Sequence, residues 1–111
     1  MIRLEIAAPY TGKNNKPAAS FETVKTYPIP YNPKNQSVFT IEYDLDNFGP
    51  VNLKIYNILG QLIFSAYDEF GSGLFHWDGK NILRTPVASG VYIIHLSTKK
   101  DNRYQRLLLI R

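Results

Sequence analysis

Apolar and polar residues alternate singly along most of this chain, and turn-forming residues interrupt the alternation at short intervals. Phe39, Ile41, Tyr43 and Leu45 fall on one side of an extended segment, with Thr40, Glu42 and Asp44 on the other. That period of two is the mark of a half-buried β-strand. Asn47-Phe48-Gly49-Pro50 breaks it, after which Val51, Leu53 and Ile55 repeat it against Asn52 and Lys54. Asn57-Ile58-Leu59-Gly60 closes that second strand, with Gly60 suited to a turn position of positive φ. Leu62 and Phe64 alternate through the next strand toward Tyr67, and Gly71-Ser72-Gly73 leads into Leu74–Trp77. Gly90 opens Val91–Ser97, which is apolar on both faces and so expected in the middle of a sheet. Tyr104–Ile110 forms the last strand. No stretch holds a helical period for long.

Upstream, Phe21–Tyr27 predicts a strand that runs into Tyr27-Pro28-Ile29-Pro30-Tyr31-Asn32-Pro33. Closely spaced prolines fix φ and remove donors, so this segment is expected to cross the fold extended and outside any ladder. Residues 1–20 separate as an N-terminal extension or the tail of a preceding domain. Within them, Arg3–Ala7 is a candidate extra strand and Thr11–Pro17 is turn-like. Residues 21–111 form the domain proper. The expected fold is all-β, an immunoglobulin-like antiparallel β-sandwich of about seven strands.

Composition narrows the class. At 111 residues the chain is about one domain, long enough to bury roughly 60–68% of its unfolded surface around one core. Cysteine is absent, which excludes disulfides and thiolate zinc sites. No apolar run approaches the ~20 residues of a membrane-spanning helix. Met1-Ile2-Arg3-Leu4-Glu5 lacks the features of a secretory signal, so an exported form is expected to be a piece of a longer precursor. The net charge is +4, with Lys99, Lys100, Arg103, Arg106 and Arg111 clustered late. Lys99-Lys100-Asp101-Asn102 has the character of a solvated hairpin turn, and cations on a final strand discourage edge pairing. Nucleic acid is therefore not the expected partner.

Trp77-Asp78-Gly79, followed by Val87-Ala88-Ser89-Gly90-Val91-Tyr92, is the sharpest local signal. The single Trp is expected as a core anchor and Asp78-Gly79 as a turn pair. An exposed Trp77 beside Tyr92 would instead offer a sugar-stacking platform. Catalysis finds little support: His76 and His95 are the only histidines, and His95 lies on a strand with no obvious acid partner in sequence. Asp44-Leu45-Asp46-Asn47 lacks the Gly and distal Glu of a calcium loop. No phosphate loop, nucleophile elbow or His-Glu metal motif is present, and no cofactor is expected.

Taken in order, several segments resemble the type A C-terminal sorting domains of the type IX secretion system, which are related to the immunoglobulin-like domain of flagellar hook-capping proteins. They are Tyr27–Pro33, Thr40–Leu45, Val51–Gln61, Phe75–Gly79, Val87–Tyr92 and Arg106–Arg111. Pro30, Asn32, Pro33, Gly60, Trp77, Asp78, Gly79, Gly90 and Tyr92 are the motif positions to which the resemblance gives structural roles. Departures fall at Ile29, Asn57 and Gln61, where the family usually has Asn, Asp and Arg. The last two imply that a charged turn contact has become neutral.

The resemblance implies a non-catalytic sorting signal at the end of a larger exported protein, recognised at the outer membrane and removed on export. The implied partners are the outer-membrane translocon, a sortase and a cargo domain preceding the module. The implied location is the cell surface or the extracellular space. An exposed final edge strand would give a partner unpaired backbone groups, which points to Tyr104, Arg106, Leu107, Leu108, Leu109, Ile110 and Arg111 as the recognition element. The competing expectations are an immunoglobulin-like spacer and a carbohydrate-binding module.

Overall fold

The alternating segments become two antiparallel sheets laid face to face. The structure, a computed structural model, describes residues 18–111. The candidate strand Arg3–Ala7 and the Thr11–Pro17 stretch lie outside the described residues. The strands are β1 (Phe21–Tyr27), β2 (Phe39–Leu45), β3 (Val51–Asn57), β4 (Leu62–Asp68), β5 (Leu74–Trp77), β6 (Gly90–Ser97) and β7 (Asn102–Leu109). One sheet has the order β1-β2-β5 and the other β4-β3-β6-β7. A constant-type immunoglobulin sandwich sets four strands against three. Here the fourth strand stays beside the third, which makes the sheet containing the chain's last strand the larger one.

The inner faces follow the predicted alternation. Phe39, Ile41 and Tyr43 of β2 meet Val51, Leu53 and Ile55 of β3 and Tyr92, Ile94 and Leu96 of β6 in one core, closed by Trp77, Leu107 and Leu109. Strand β6 lies between β3 and β7, where its two apolar faces suit it. One phase differs from expectation. A register shift at Ile55/Tyr56 opposite β4 puts Leu62 out in solvent, while Phe64 and Ala66 pack against the core.

The Pro-rich crossing also departs from expectation. Tyr31 is not outside the ladder: it pairs in parallel with Leu109, donating its N–H to Leu108 O at 2.8 Å and accepting from Ile110 N at 2.9 Å. The prolines remove donors only at positions 28, 30 and 33, leaving the Tyr31 amide free to bond. After running along the three-stranded sheet as β1, the chain thus crosses to the edge of the other.

The two ends of the sandwich differ. At the proximal end, where the described chain begins, Ala19 is buried and its carbonyl accepts from Thr98 Oγ1 at 2.6 Å. Ser20 N donates to Asp46 Oδ1 at 2.8 Å, and Phe21 N to Asp101 Oδ2 at 2.9 Å. A tyrosine ties the two sheets together there. Tyr43 packs between Phe21 and Phe75, with ring centroids 5.8 and 5.7 Å away, and donates its hydroxyl to Asp68 Oδ2 at 2.8 Å. Asp68 also accepts from Ser72 N, Ser72 Oγ and Phe70 N, at 2.7, 2.5 and 3.1 Å.

Desolvation alone would raise the Asp68 carboxyl, but these hydrogen bonds outweigh it and hold the group at about 2. Tyr43 is pushed well above the ordinary phenol range, first by burial and then by its bond to Asp68. Because the folded Asp68 titrates below its unfolded range, its stabilisation is complete above about pH 4 and is lost as pH falls toward about 2. Asp68→Asn is expected to lower stability at neutral pH by about 1–2 kcal/mol and to flatten the acid limb of the stability curve between those values. Urea melts at a series of pH values read this directly; an unchanged acid limb would remove Asp68 from the account.

Candidate functional site

The motif residues and the end of the chain come together at the distal end of the sandwich. Trp77 ends β5 fully buried, against Tyr92 at 5.9 Å and Phe64 at 6.3 Å between ring centroids. Its indole N–H donates to Lys80 O at 2.8 Å, which bends the chain back over the ring. Asp78 accepts from Lys80 N at 3.2 Å and pairs with Arg84. Burial would raise the Asp78 carboxyl, but the Arg84 guanidinium and its hydrogen bond hold it below the usual range.

Gly79 takes φ +79°, a left-handed conformation that costs side-chain-bearing residues about 1–2 kcal/mol. A Cβ there would also stand 3.1 Å from Pro33 Cγ and 3.3 Å from Arg111 Nη2. The turn thereby aims the Gly79 carbonyl at two donors, Val87 N at 3.0 Å and Arg111 Nη2 at 2.9 Å. Arg111 Nε donates to Val87 O at 2.6 Å, and Arg111 N to Ser89 Oγ at 2.9 Å. Tyr92, buried on β6, donates its hydroxyl to Ala88 O at 2.6 Å and steadies the same loop. Three hydrogen bonds from one residue thus fasten the last strand to the loop between Trp77 and Gly90.

The Pro-rich segment completes the clasp. Tyr31, fully buried, packs on Phe39 at 5.7 Å while its backbone holds Leu108 and Ile110. Asn32 folds the chain away from this contact: its side chain accepts from Lys34 N at 2.9 Å, and its carbonyl accepts from Asn35 N and Gln36 N. Pro30 precedes Tyr31 and is exposed, whereas Pro33 sits against Gly79. Gly60, with φ +83°, serves a different turn, in which Asn57 Oδ1 accepts from Leu59 N and Gln61 N, both at 3.0 Å. Asn57 Nδ2 donates to Gln61 Oε1 at 2.7 Å, a neutral contact between the two positions that depart from the family pattern.

Strand β7 divides the candidate recognition residues into two sets. Leu107 and Leu109 point inward and are fully buried. Tyr104, Arg106, Leu108 and Ile110 are exposed, while Arg111 is held in the clasp. Since Leu108 O and Ile110 N face Tyr31, alternation turns the backbone groups of Tyr104 and Arg106 the same way, away from β6. Among the described residues the sheet has no further strand beyond them. Tyr104 also stacks on His95 with centroids 4.6 Å apart, and His95 Nε2 bonds Asn102 Oδ1 at 2.7 Å.

Sequence reasoning missed the Arg111 clasp, because carbonyl acceptors leave no side-chain signature. The stacking-platform expectation is corrected: the Trp77 and Tyr92 rings are both buried, so neither presents a face to a sugar. Asp44 and Asp46, weighed as calcium ligands, accept hydrogen bonds from Thr23 Oγ1 and Ser20 N. Among the described residues, no helix is long and apolar enough to cross a membrane.

The family model described as the secretion system C-terminal sorting domain matches residues 25–111. The chain belongs to that family. Its members are sorting signals for type IX secretion, marking proteins for export to the cell surface or extracellular space, and the family is not catalytic. Membership implies interaction with the secretion machinery.

Among solved structures, the chain is similar to PorZ of Porphyromonas gingivalis, an essential bacterial surface component of the type IX secretion system. Identity is 26% and the TM-score 0.63, over 79% of this chain and 11% of that one. Dimeric latent PorU from the same organism matches with a TM-score of 0.65 at 15% identity, over 91% of this chain and 10% of that one. A β-glucuronidase of Parabacteroides merdae matches with a TM-score of 0.53 at 16% identity, over 82% and 13%. The last two likenesses show the fold alone. This sorting domain spans about a tenth of the length of each of these proteins. No curated protein matches it.

If the clasp holds the last strand, Arg111→Ala removes two hydrogen bonds to carbonyls and is expected to cost about 1–3 kcal/mol. Gly79→Ala, strained by its φ and crowded by Pro33, is expected to cost at least about 1–2 kcal/mol. Chemical denaturation measures both. Two variants as stable as the parent chain would show that Arg111 is not fastened.

Proposed function

We propose that this sorting domain is read by the type IX outer-membrane translocon through the exposed side of β7, with the strand delivered already folded and fastened at its end. The observation that carries the reading is the combination of a β7 edge that is open at Tyr104 and Arg106 among the described residues with a pinned end at Leu108–Arg111. A partner strand can add to unpaired backbone groups there, while Tyr104, Arg106 and Leu108 supply side-chain selectivity. Leu107 and Leu109 contribute through the core, by fixing the strand that carries the others. The module runs over residues 21–111, with residues 1–20 leading from a preceding cargo domain; the family match over residues 25–111 supports the first of these bounds. A sortase then separates the module from its cargo. The chain itself is not an enzyme, in keeping with its family.

The test is a reporter fused ahead of the full 111-residue chain, in a host with type IX secretion. Arg106→Pro removes an amide that faces away from β6, so it blocks strand addition while leaving the β6–β7 ladder intact. Export is expected to be lost in Arg106→Pro and in Tyr104→Asp/Leu108→Asp, with both variants melting within a few degrees of the parent. Full export of the stably folded variants would refute recognition at β7.

A further inference from the structure

The distal end of the sandwich carries a second feature, which the sorting reading does not use. The turn between β3 and β4 exposes Ile58 at 77% and Leu59 at 80%, and the loop after β5 exposes Ile82 at 61% and Leu83 at 81%. These two tips share one corner, because Ile82 N donates to Ile63 O at 3.0 Å just beyond the first turn. Nothing in the fold needs them apolar. The first turn is held by the Asn57 side chain and the second by Asn81, whose Oδ1 accepts from Leu83 N at 2.9 Å and Thr85 N at 3.0 Å. Both loops are thus built by polar groups and tipped with aliphatic ones.

Charge is distributed unevenly about them. The distal loops and chain end carry Lys34, Lys80, Arg84 and Arg111, with Asp78 the single carboxylate there among the described residues. That carboxylate is already paired with Arg84. In the proximal half Glu22, Asp44, Asp46, Asp68, Glu69 and Asp101 outnumber Lys99, Lys100 and Arg103. The molecule therefore presents an aliphatic, cation-rimmed corner at one end and a surface of net negative charge, with Phe48 and Phe70 exposed on its loops, at the other.

From this we infer that the distal corner docks on an anionic lipid surface, inserting Ile58, Leu59, Ile82 and Leu83 among the headgroups while Lys34 and Lys80 face lipid phosphates. Side chains of this type favour lipid over protein. Protein hot spots centre on Trp, Tyr and Arg in well-packed, desolvated pockets, and Leu is under-represented in them. Insertion into an interface needs only protruding apolar groups and cations at headgroup level. The acidic proximal end, repelled by the same surface, sets the orientation: distal end down, β7 upright with its edge open at the side.

The test uses the full chain and unilamellar vesicles. It is expected to sediment with vesicles of equimolar phosphatidylglycerol and phosphatidylcholine, not with phosphatidylcholine alone, and to release as salt rises. Leu59→Ser/Leu83→Ser is expected to weaken binding about tenfold or more at unchanged melting temperature. Lys34→Glu/Lys80→Glu is expected to abolish it. Leu59→Trp adds a reporter to the buried Trp77, and its emission is expected to shift to the blue and be quenched by brominated lipid. No binding to anionic vesicles at low salt would overturn the inference, as would binding that ignores these substitutions. Loss of export in the Leu59/Leu83 variant without vesicle binding by the parent chain would assign the corner to a protein partner and equally overturn it. Because β7 is untouched by these variants, the inference can fail while recognition at β7 stands.

Discussion

The rest of this structure depends on the meeting of Tyr31 with the last strand. One residue between prolines supplies a buried ring to the core and two backbone hydrogen bonds to Leu108 and Ile110, so the β1–β2 connection and the last strand hold each other. Without it, the outer side of β7 at Leu108 and Ile110 would lose its backbone partner. Arg111 adds a second fastening beside it, to carbonyls of the Gly79 and Val87 turns. Those carbonyls point correctly because Trp77 is anchored in the core and Gly79 accepts a left-handed φ.

This ordering gives the Trp77–Gly90 stretch a structural role. Trp77, Gly79 and Val87 shape a loop whose carbonyls hold the residue at position 111. Strand β7 is therefore held in a fixed register rather than as a loose tail. A pre-ordered strand loses less entropy when a partner adds to it than a disordered one would.

Much of the fold was legible in the sequence, because a period of two over seven short segments leaves few alternatives to a sandwich. The limits of β1 and β3 follow from their turn residues, and the central place of β6 from its two apolar faces. Leu62 and Phe64 break their alternation, since the shift at Ile55/Tyr56 has no residue signature. Tyr31 was hidden by its neighbours: prolines argue against a ladder, yet a single amide between them suffices for a parallel bridge. The candidate site was half legible. Alternation separates Tyr104, Arg106 and Leu108 from Leu107 and Leu109, but nothing in the residues shows which edge of β7 remains open or what pins its end.

The central claim is a strand with a fastened end and an open middle, and residue-resolved amide exchange on the full chain tests it most directly. The account predicts strong protection at Tyr31, Leu107, Leu109 and Ile110, with the Tyr104 and Arg106 amides exchanging far faster at the same pH. Uniform protection along β7 would mean that its edge is already covered. Rapid exchange at Ile110 and Tyr31 would mean that the end is not held, and either result would contradict the account.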